Sequence, residues 1–274
     1  MFANLLPDLV DLARRAGDAI LEIYNSDFAV ETKADDSPLT QADLAAHRVL
    51  VAGLAALTPE VPVLSEESQI PEFSERGSWP RYWLIDPLDG TKEFVNRNGE
   101  FTVNIALIEG HAPALGVVGV PTQGTVYTGD VAGAVATRHG SDGAAATLAG
   151  RSWPGPDALA VVASRNHGGE RLETYLEALV ERFGKVDRKP VGSSLKLCIL
   201  AEGRADIYPR LGPTSEWDIG AAHAVLLAAG GGVWAVDGSA LLYNAEENIL
   251  NPEFFAVSDR SFDWQTALPP VPDK

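Results

Sequence analysis

Apolar residues recur at helical spacing over the first two dozen positions, at Leu6, Val10, Ala13, Ile20 and Ile23, with charged residues between them. That period predicts an amphipathic helix. After an expected turn at residues 33–38, the segment from Thr40 to about Leu57 predicts a second helix. From residue 61 the pattern changes. Short apolar, β-branched runs at 61–64, 82–85, 101–109, 114–120 and 124–127 predict strands, with 101–109 and 114–120 paired as a hairpin across a short glycine-containing turn. Residues 129–156 are rich in Gly and Ala and predict the least order. A domain boundary is expected near their end, dividing the chain into 1–156 and 157–274.

The second part alternates. Strands are expected at 158–164, 185–190 and 205–208, and helices at 170–183, 193–201 and 219–229, the last closed by three consecutive glycines at 230–232. Strand–helix alternation favours α/β layering here, and the mixed first part favours α+β. The Pro-rich tail after Leu268 reads as a flexible end.

Composition narrows the function. A chain of 274 residues with 46% hydrophobic and 22% charged residues can bury a substantial core. Its net charge of −17 argues against nucleic-acid polymers, which need a basic face to displace counterions. A small anionic ligand remains compatible if bound cations invert the local field. The single cysteine, Cys198, excludes an intrachain disulfide and an all-cysteine zinc site. No stretch has the continuous apolar length of a membrane span or the form of a signal peptide, so the expected compartment is the cytoplasm, with peripheral membrane association left open.

Acidic residues gather at element ends. Asp86 and Asp89 follow a strand, flank Pro87 and Leu88, and precede Gly90 and Thr91. Two carboxylates with a backbone carbonyl between them form a hard-oxygen set suited to magnesium, although Asp-Gly after Pro is also a common turn. Gly90 and Thr91 would open a helical turn whose free N–H groups suit a phosphate. Glu66 lies in an acidic strand end that reads equally as a solvated loop. Asp218 starts a helix and reads equally as an N-cap. Thr40 and Asp43 have the spacing of a capping box.

The string WLIDPLDGT at 83–91, WDIGAA at 217–222 with AAGG at 228–231, and LSEES at 64–68 together resemble the signatures of the inositol monophosphatase superfamily, the lithium-sensitive, magnesium-dependent phosphatases. KEF at 92–94, RNGEFTVN at 97–104, GSSLK at 192–196 and YPR at 208–210 are similar to its bacterial 3'(2'),5'-bisphosphate nucleotidase branch. The resemblance runs from the first helix to about Phe255. It implies a layered αβαβα sandwich, with a mixed-sheet N-terminal half packed on an α/β C-terminal half.

The resemblance also implies roles. Glu66, Asp86, Asp89, Asp218 and the Leu88 carbonyl would hold two or three Mg2+ ions. The amides of Gly90 and Thr91 would meet the phosphate, and Asp43 with the Thr91 hydroxyl would orient the attacking water. Lys196 and Arg210 would take the uncleaved phosphate, with Ser193 or Ser194 assisting and His167 lining the nucleotide site. Glu66, Leu88, Asp89 and Asp218 would face substrate as well. The implied substrate is 3'-phosphoadenosine 5'-phosphate, cut to AMP and phosphate, with its sulfated analogue as a second. Lithium inhibition and a homodimer are further implications.

Two other readings stand beside this one. Inositol phosphates or fructose 1,6-bisphosphate would use the same acids, so only the regions around 192–196 and 210 discriminate. A non-catalytic binding protein is disfavoured because all of the implied acids are present.

Overall fold

The computed structural model describes residues 2–26, 30–32, 38–154, 158–164 and 169–273. Its first helix, α1 (Leu6–Tyr24), buries Leu9, Leu12, Ala13, Ala16 and Ile20 along one stripe. A short hairpin, β1 (Val30–Thr32) with β2 (Pro38–Thr40), leads into α2 (Gln41–Leu57). The turn expected at 33–38 lies mostly outside the described residues. β3 (Val63–Ser65) and the short α3 (Phe73–Arg76) precede β4 (Arg81–Asp89).

β4 is buried on both faces and therefore reads as a continuous apolar run. Its alternation is intact: Trp83 and Ile85 join the core under α1 and α2, and Tyr82 and Leu84 join the opposite core. After α4 (Thr91–Val95), a meander of β5 (Thr102–Glu109), β6 (Ala112–Val120), β7 (Thr125–Asp130), β8 (Val135–His139) and β9 (Ala145–Leu148) completes a seven-stranded sheet in sequential order from β3. Only β3 and β4 pair in parallel. The region expected to be least ordered thus supplies two strands. Only Ala136 of β8 is buried and β9 is mostly exposed, so their sequences carry little of the apolar signal that marks a strand.

The second sheet has five strands in the order β11-β10-β12-β14-β13. It is built from β10 (Leu159–Ser164), α5 (Gly169–Phe183), β11 (Val186–Val191), α6 (Leu195–Ala201), β12 (Ile207–Arg210), α7 (Glu216–Ala228), β13 (Gly232–Ala235) and β14 (Phe254–Val257). β10, β11 and β12 are parallel, and β14 runs against β12 and β13.

Three cores separate five layers. One lies between α1/α2 and the large sheet, one between the two sheets around α6 and α7, and one between the small sheet and α5. The αβαβα sandwich implied by the resemblance is the observed architecture. α7 is apolar nearly all round, as a helix between two sheets must be. It approaches the large sheet closely: a Cβ on Gly116 would stand 2.0 Å from the Ala221 carbonyl oxygen. That approach sets the start of α7, and with it Asp218, against the ends of β4 and β5.

The tail is not a free end. α8 (Trp264–Ala267) buries Trp264 against Trp153 and Phe183, Phe262, Leu268 and Val271 pack on the α5 core, and Arg171 Nε donates to the Pro272 carbonyl at 2.7 Å. Among the described residues no helix is long and apolar enough to cross a membrane.

Candidate active site

Residues three apart on a regular strand point to opposite faces. Asp86 and Asp89 escape this because β4 is irregular between them. Asp86 pairs with Asn104 and Asp89 with Thr102, so four residues of β4 oppose three of β5. The extra residue is a bulge, at a place where Pro87 has no N–H to offer the ladder. It turns both carboxylates toward one side. Asp86 Oδ1 accepts from the Leu88 amide at 3.1 Å, which fixes the acid over the bend. The chain then turns at Gly90, φ +92°, a left-handed conformation that favours glycine, and enters α4.

Glu66 arrives from the end of β3. Its amide donates to the Ile85 carbonyl at 3.3 Å, while Ser65 Oγ accepts from the Glu67 amide and contacts His47 Nδ1 at 3.0 Å. Asp218 comes from the first turn of α7. Ser215 caps this helix, and Asp218 is its third residue: its Oδ2 accepts from the Ser215 amide at 2.9 Å and from Thr214 Oγ1 at 2.6 Å. The N-cap reading of Asp218 is therefore corrected to the acidic partner of a capping box.

Carboxylate oxygens of Glu66, Asp86 and Asp218 lie within 4.8 Å of one another. Asp89 joins them in a cavity of about 260 Å³ also lined by Leu88, Gly90, Thr91, Ser193, Lys196 and Arg210. Burial, then repulsion from Glu66, Asp89 and Asp218, raises the Asp86 carboxyl well above the usual range, with the Asp43 charge adding to it. Burial and the Asp218 charge push Asp89 up to about 8, against the opposing pull of Lys196 and the Ser194 amide. Burial also raises Asp218, against the hydrogen bonds from Thr214 and Ser215 and the charges of Arg210 and Lys196. Acids held in this condition, with hard oxygens on one space, are what a divalent cation fits.

The opposite wall is basic. Lys196 Nζ donates to the Ser193 carbonyl at 2.9 Å and lies 5.6 Å from the centroid of the Tyr208 ring. Arg210 Nε donates to the Gly212 carbonyl at 3.1 Å, and its Nη1 contacts the Tyr208 hydroxyl at 3.3 Å. Asp43 is fully buried in the first turn of α2. The side chain of Thr40 and all of His167 fall outside the described residues, so neither the proposed capping box of Thr40 nor a nucleotide contact of His167 is described.

Several residues at the site lie in strings that resemble the nucleotidase branch but had no role of their own assigned. Tyr208 and Glu93 line the cavity, and Thr102, Asn104 and Glu100 lie behind it. Thr102 and Asn104 interrupt an otherwise apolar strand on one face, which is a usable sign of a polar contact beneath a site. Glu216 is buried beside Asp218 and accepts the Asn244 amide at 2.8 Å on both oxygens. Burial pushes its carboxyl up to about 7.

Comparison with known proteins places this arrangement. The 3'(2'),5'-bisphosphate nucleotidase CysQ of Salmonella typhimurium is 47% identical over 252 residues, covering 91% of this chain and 98% of that protein. CysQ of Escherichia coli strain K12 matches to the same extent. The crystal structure of CysQ from Bacteroides thetaiotaomicron, described as a bacterial member of the inositol monophosphatase family, superposes with a TM-score of 0.80 at 38% identity, covering 92% of this chain and 96% of that one. An inositol monophosphatase from Anabaena, at 24% identity and a TM-score of 0.71, shares the fold. With residues 3–261 matching the family model and relatives this close over nearly its whole length, the chain belongs to the inositol monophosphatase family.

Proposed function

We propose that the protein is a magnesium-dependent 3'(2'),5'-bisphosphate nucleotidase that releases the 3'-phosphate of 3'-phosphoadenosine 5'-phosphate as inorganic phosphate and leaves AMP. The sulfated analogue is proposed as a second substrate. The observation that carries this reading is one cavity with two chemically opposite walls: acids that need cations, and Lys196 with Arg210 placed for a second phosphate. The named relatives support the substrate class.

Glu66, Asp86, Asp89, Asp218 and the Leu88 carbonyl are the residues that would hold the ions. When bound, the ions supply the positive charge that polarises the phosphate and activates water. Asp43 and the Thr91 hydroxyl orient the attacking water, and the amides of Gly90 and Thr91 take phosphate oxygens. The bond from phosphorus to the water oxygen forms as the bond to the 3'-oxygen breaks, and that oxygen leaves protonated as the ribose hydroxyl. Lys196 and Arg210 hold the 5'-phosphate away from the acids. Since no side chain here is needed as a nucleophile, no phosphoenzyme forms.

Phosphate release from 3'-phosphoadenosine 5'-phosphate, inositol 1-phosphate and fructose 1,6-bisphosphate, each with magnesium, tests the reading. Preference for the bisphosphate nucleotide supports it. Preference for either sugar phosphate overturns the substrate assignment and keeps the chemistry.

A further inference from the structure

The loop joining β11 to α6 is held in a costly shape. Ser193 has φ +47°, a conformation disfavoured for any residue with a Cβ. A Cβ on Gly192 would stand 2.7 Å from Glu93 Cγ, so no larger residue fits there without displacement. Such a backbone persists only if its surroundings enforce it, and here they come from the other sheet. The Gly192 amide donates to Glu100 Oε2 at 2.8 Å, and the Ser194 amide donates to Asp89 Oδ2.

Ser194 supplies the third anchor. Its side chain is buried, its Oγ donates to Asn104 Oδ1 at 2.7 Å, and it lies 2.8 Å from Thr102 Oγ1. Thr102 and Asn104 are the residues paired with Asp89 and Asp86 across the strands. Asn104 is fully buried, and its Nδ2 has no hydrogen-bond partner among the described residues. An apolar side chain would fill that position without stranding a donor. What the asparagine adds is the carbonyl that receives Ser194. Two residues further on, Lys196 is bonded back to the Ser193 carbonyl, so its ammonium follows wherever this loop is set.

We infer that Thr102, Asn104 and Ser194 form a socket that fixes the start of α6, and with it Lys196, against the acidic cluster, and so determines the preference for a bisphosphate over a simple phosphate ester. They are positioning residues: none needs to touch the reacting phosphate. The inference rests on the nucleotidase reading of the cavity. It gives Ser194 a different task from Ser193, whose hydroxyl is not tied into the socket.

The test is Thr102→Val, which removes one hydroxyl of the socket and keeps its shape, beside Thr102→Ser, which keeps the hydroxyl. For each protein kcat/KM is measured with 3'-phosphoadenosine 5'-phosphate and with p-nitrophenyl phosphate, which has no second phosphate. AMP affinity is measured by calorimetry in EDTA, and Tm is recorded. In Thr102→Val kcat/KM for the bisphosphate should fall about tenfold, mainly through KM, well short of the hundredfold that a 1 Å misplacement can cost. AMP should bind correspondingly more weakly, p-nitrophenyl phosphate turnover should change by less than about threefold, and Thr102→Ser should behave as the parent. An unchanged ratio of the two kcat/KM values, or a parallel fall in both, overturns the socket. If Thr102→Val does not fold, Thr102→Ala carries the test on the same ratio. A parent enzyme that disfavours the nucleotide would sink the nucleotidase reading instead, and the ratio across variants would still decide the socket.

Discussion

The two walls of the cavity are made differently. The acidic wall stands on buried regular elements: a bulged central strand, the end of its parallel neighbour and the first turn of a helix clasped between two sheets. Asp86 is 1% exposed; burial and neighbouring acids raise its carboxyl and that of Asp89, and burial raises that of Asp218. The basic wall stands on the first turn of the short helix α6 and the end of the short strand β12. Its cations rest on backbone carbonyls and an aromatic ring. The first wall is unfavourable by itself and only partly relieved by Lys196, Arg210 and nearby hydrogen-bond donors. The second is already satisfied and keeps spare donors for an anion. On the proposed function, one wall serves chemistry and the other recognition.

The sharpest way to break that comparison is at Asp89. Asp89→Asn should lower kcat with every phosphate ester by about a thousandfold or more, because a carboxylate that holds a catalytic ion supports several kcal/mol of transition-state stabilisation. The metal-free variant should fold at least as well as the parent, since a repelled carboxylate has been removed. Steady-state kinetics with a thermal melt in EDTA checks both. A variant that loses its fold together with its activity would show that Asp89 belongs to the scaffold.

A smaller and more selective effect is expected on the other wall. Lys196→Ala and Arg210→Ala should each lower kcat/KM for 3'-phosphoadenosine 5'-phosphate by about tenfold to a hundredfold, the size of one or two hydrogen bonds to a charged group. Hydrolysis of p-nitrophenyl phosphate should be nearly unaffected. If both substrates suffered equally, these cations would act on the reacting phosphate, and the division between the walls would fail.

How far this could be read in advance follows the same division. The acidic wall is written in short contiguous strings, so Asp86, Asp89, Glu66 and Asp218 were all legible, as were the helices and strands that deliver them. The bulge was not, because the odd spacing of Asp86 and Asp89 argues against a shared face until the pairing of β4 with β5 is known. The socket beneath Ser194 joins residues about ninety positions apart, and no local pattern announces such a contact. β8 and β9 were missed because β8 buries a single residue, Ala136, and the edge strand β9 is mostly exposed, so neither shows the apolar alternation of a buried strand. The tail looked free because proline dominates it. Its docking depends on Trp264, Leu268 and Val271 meeting α5, and on Arg171 reaching back from that helix.

The smallest effect expected concerns stability, and it separates the walls by pH. A carboxyl whose folded pKa lies above its unfolded one binds protons more tightly when folded, so stability falls as pH rises between the two values. Asp89 at about 8 and Glu216 at about 7 both belong to this class, as does Asp86 by direction. His223 acts oppositely: burial lowers it to about 3, so it costs stability as pH falls below its ordinary 6.5 and contributes no pH dependence above that. The window from pH 6.5 to 8 therefore isolates the acids. In EDTA the Tm should drop across it by a few degrees. Saturating magnesium should abolish or reverse the slope, because cations bind the ionised acids and stabilise the fold that holds them. The Lys196→Ala variant should show a steeper metal-free slope, since Lys196 lowers both Asp89 and Asp218. A flat metal-free profile would mean that the acids are already relieved within the protein, and the contrast between a strained wall and a satisfied one would be lost.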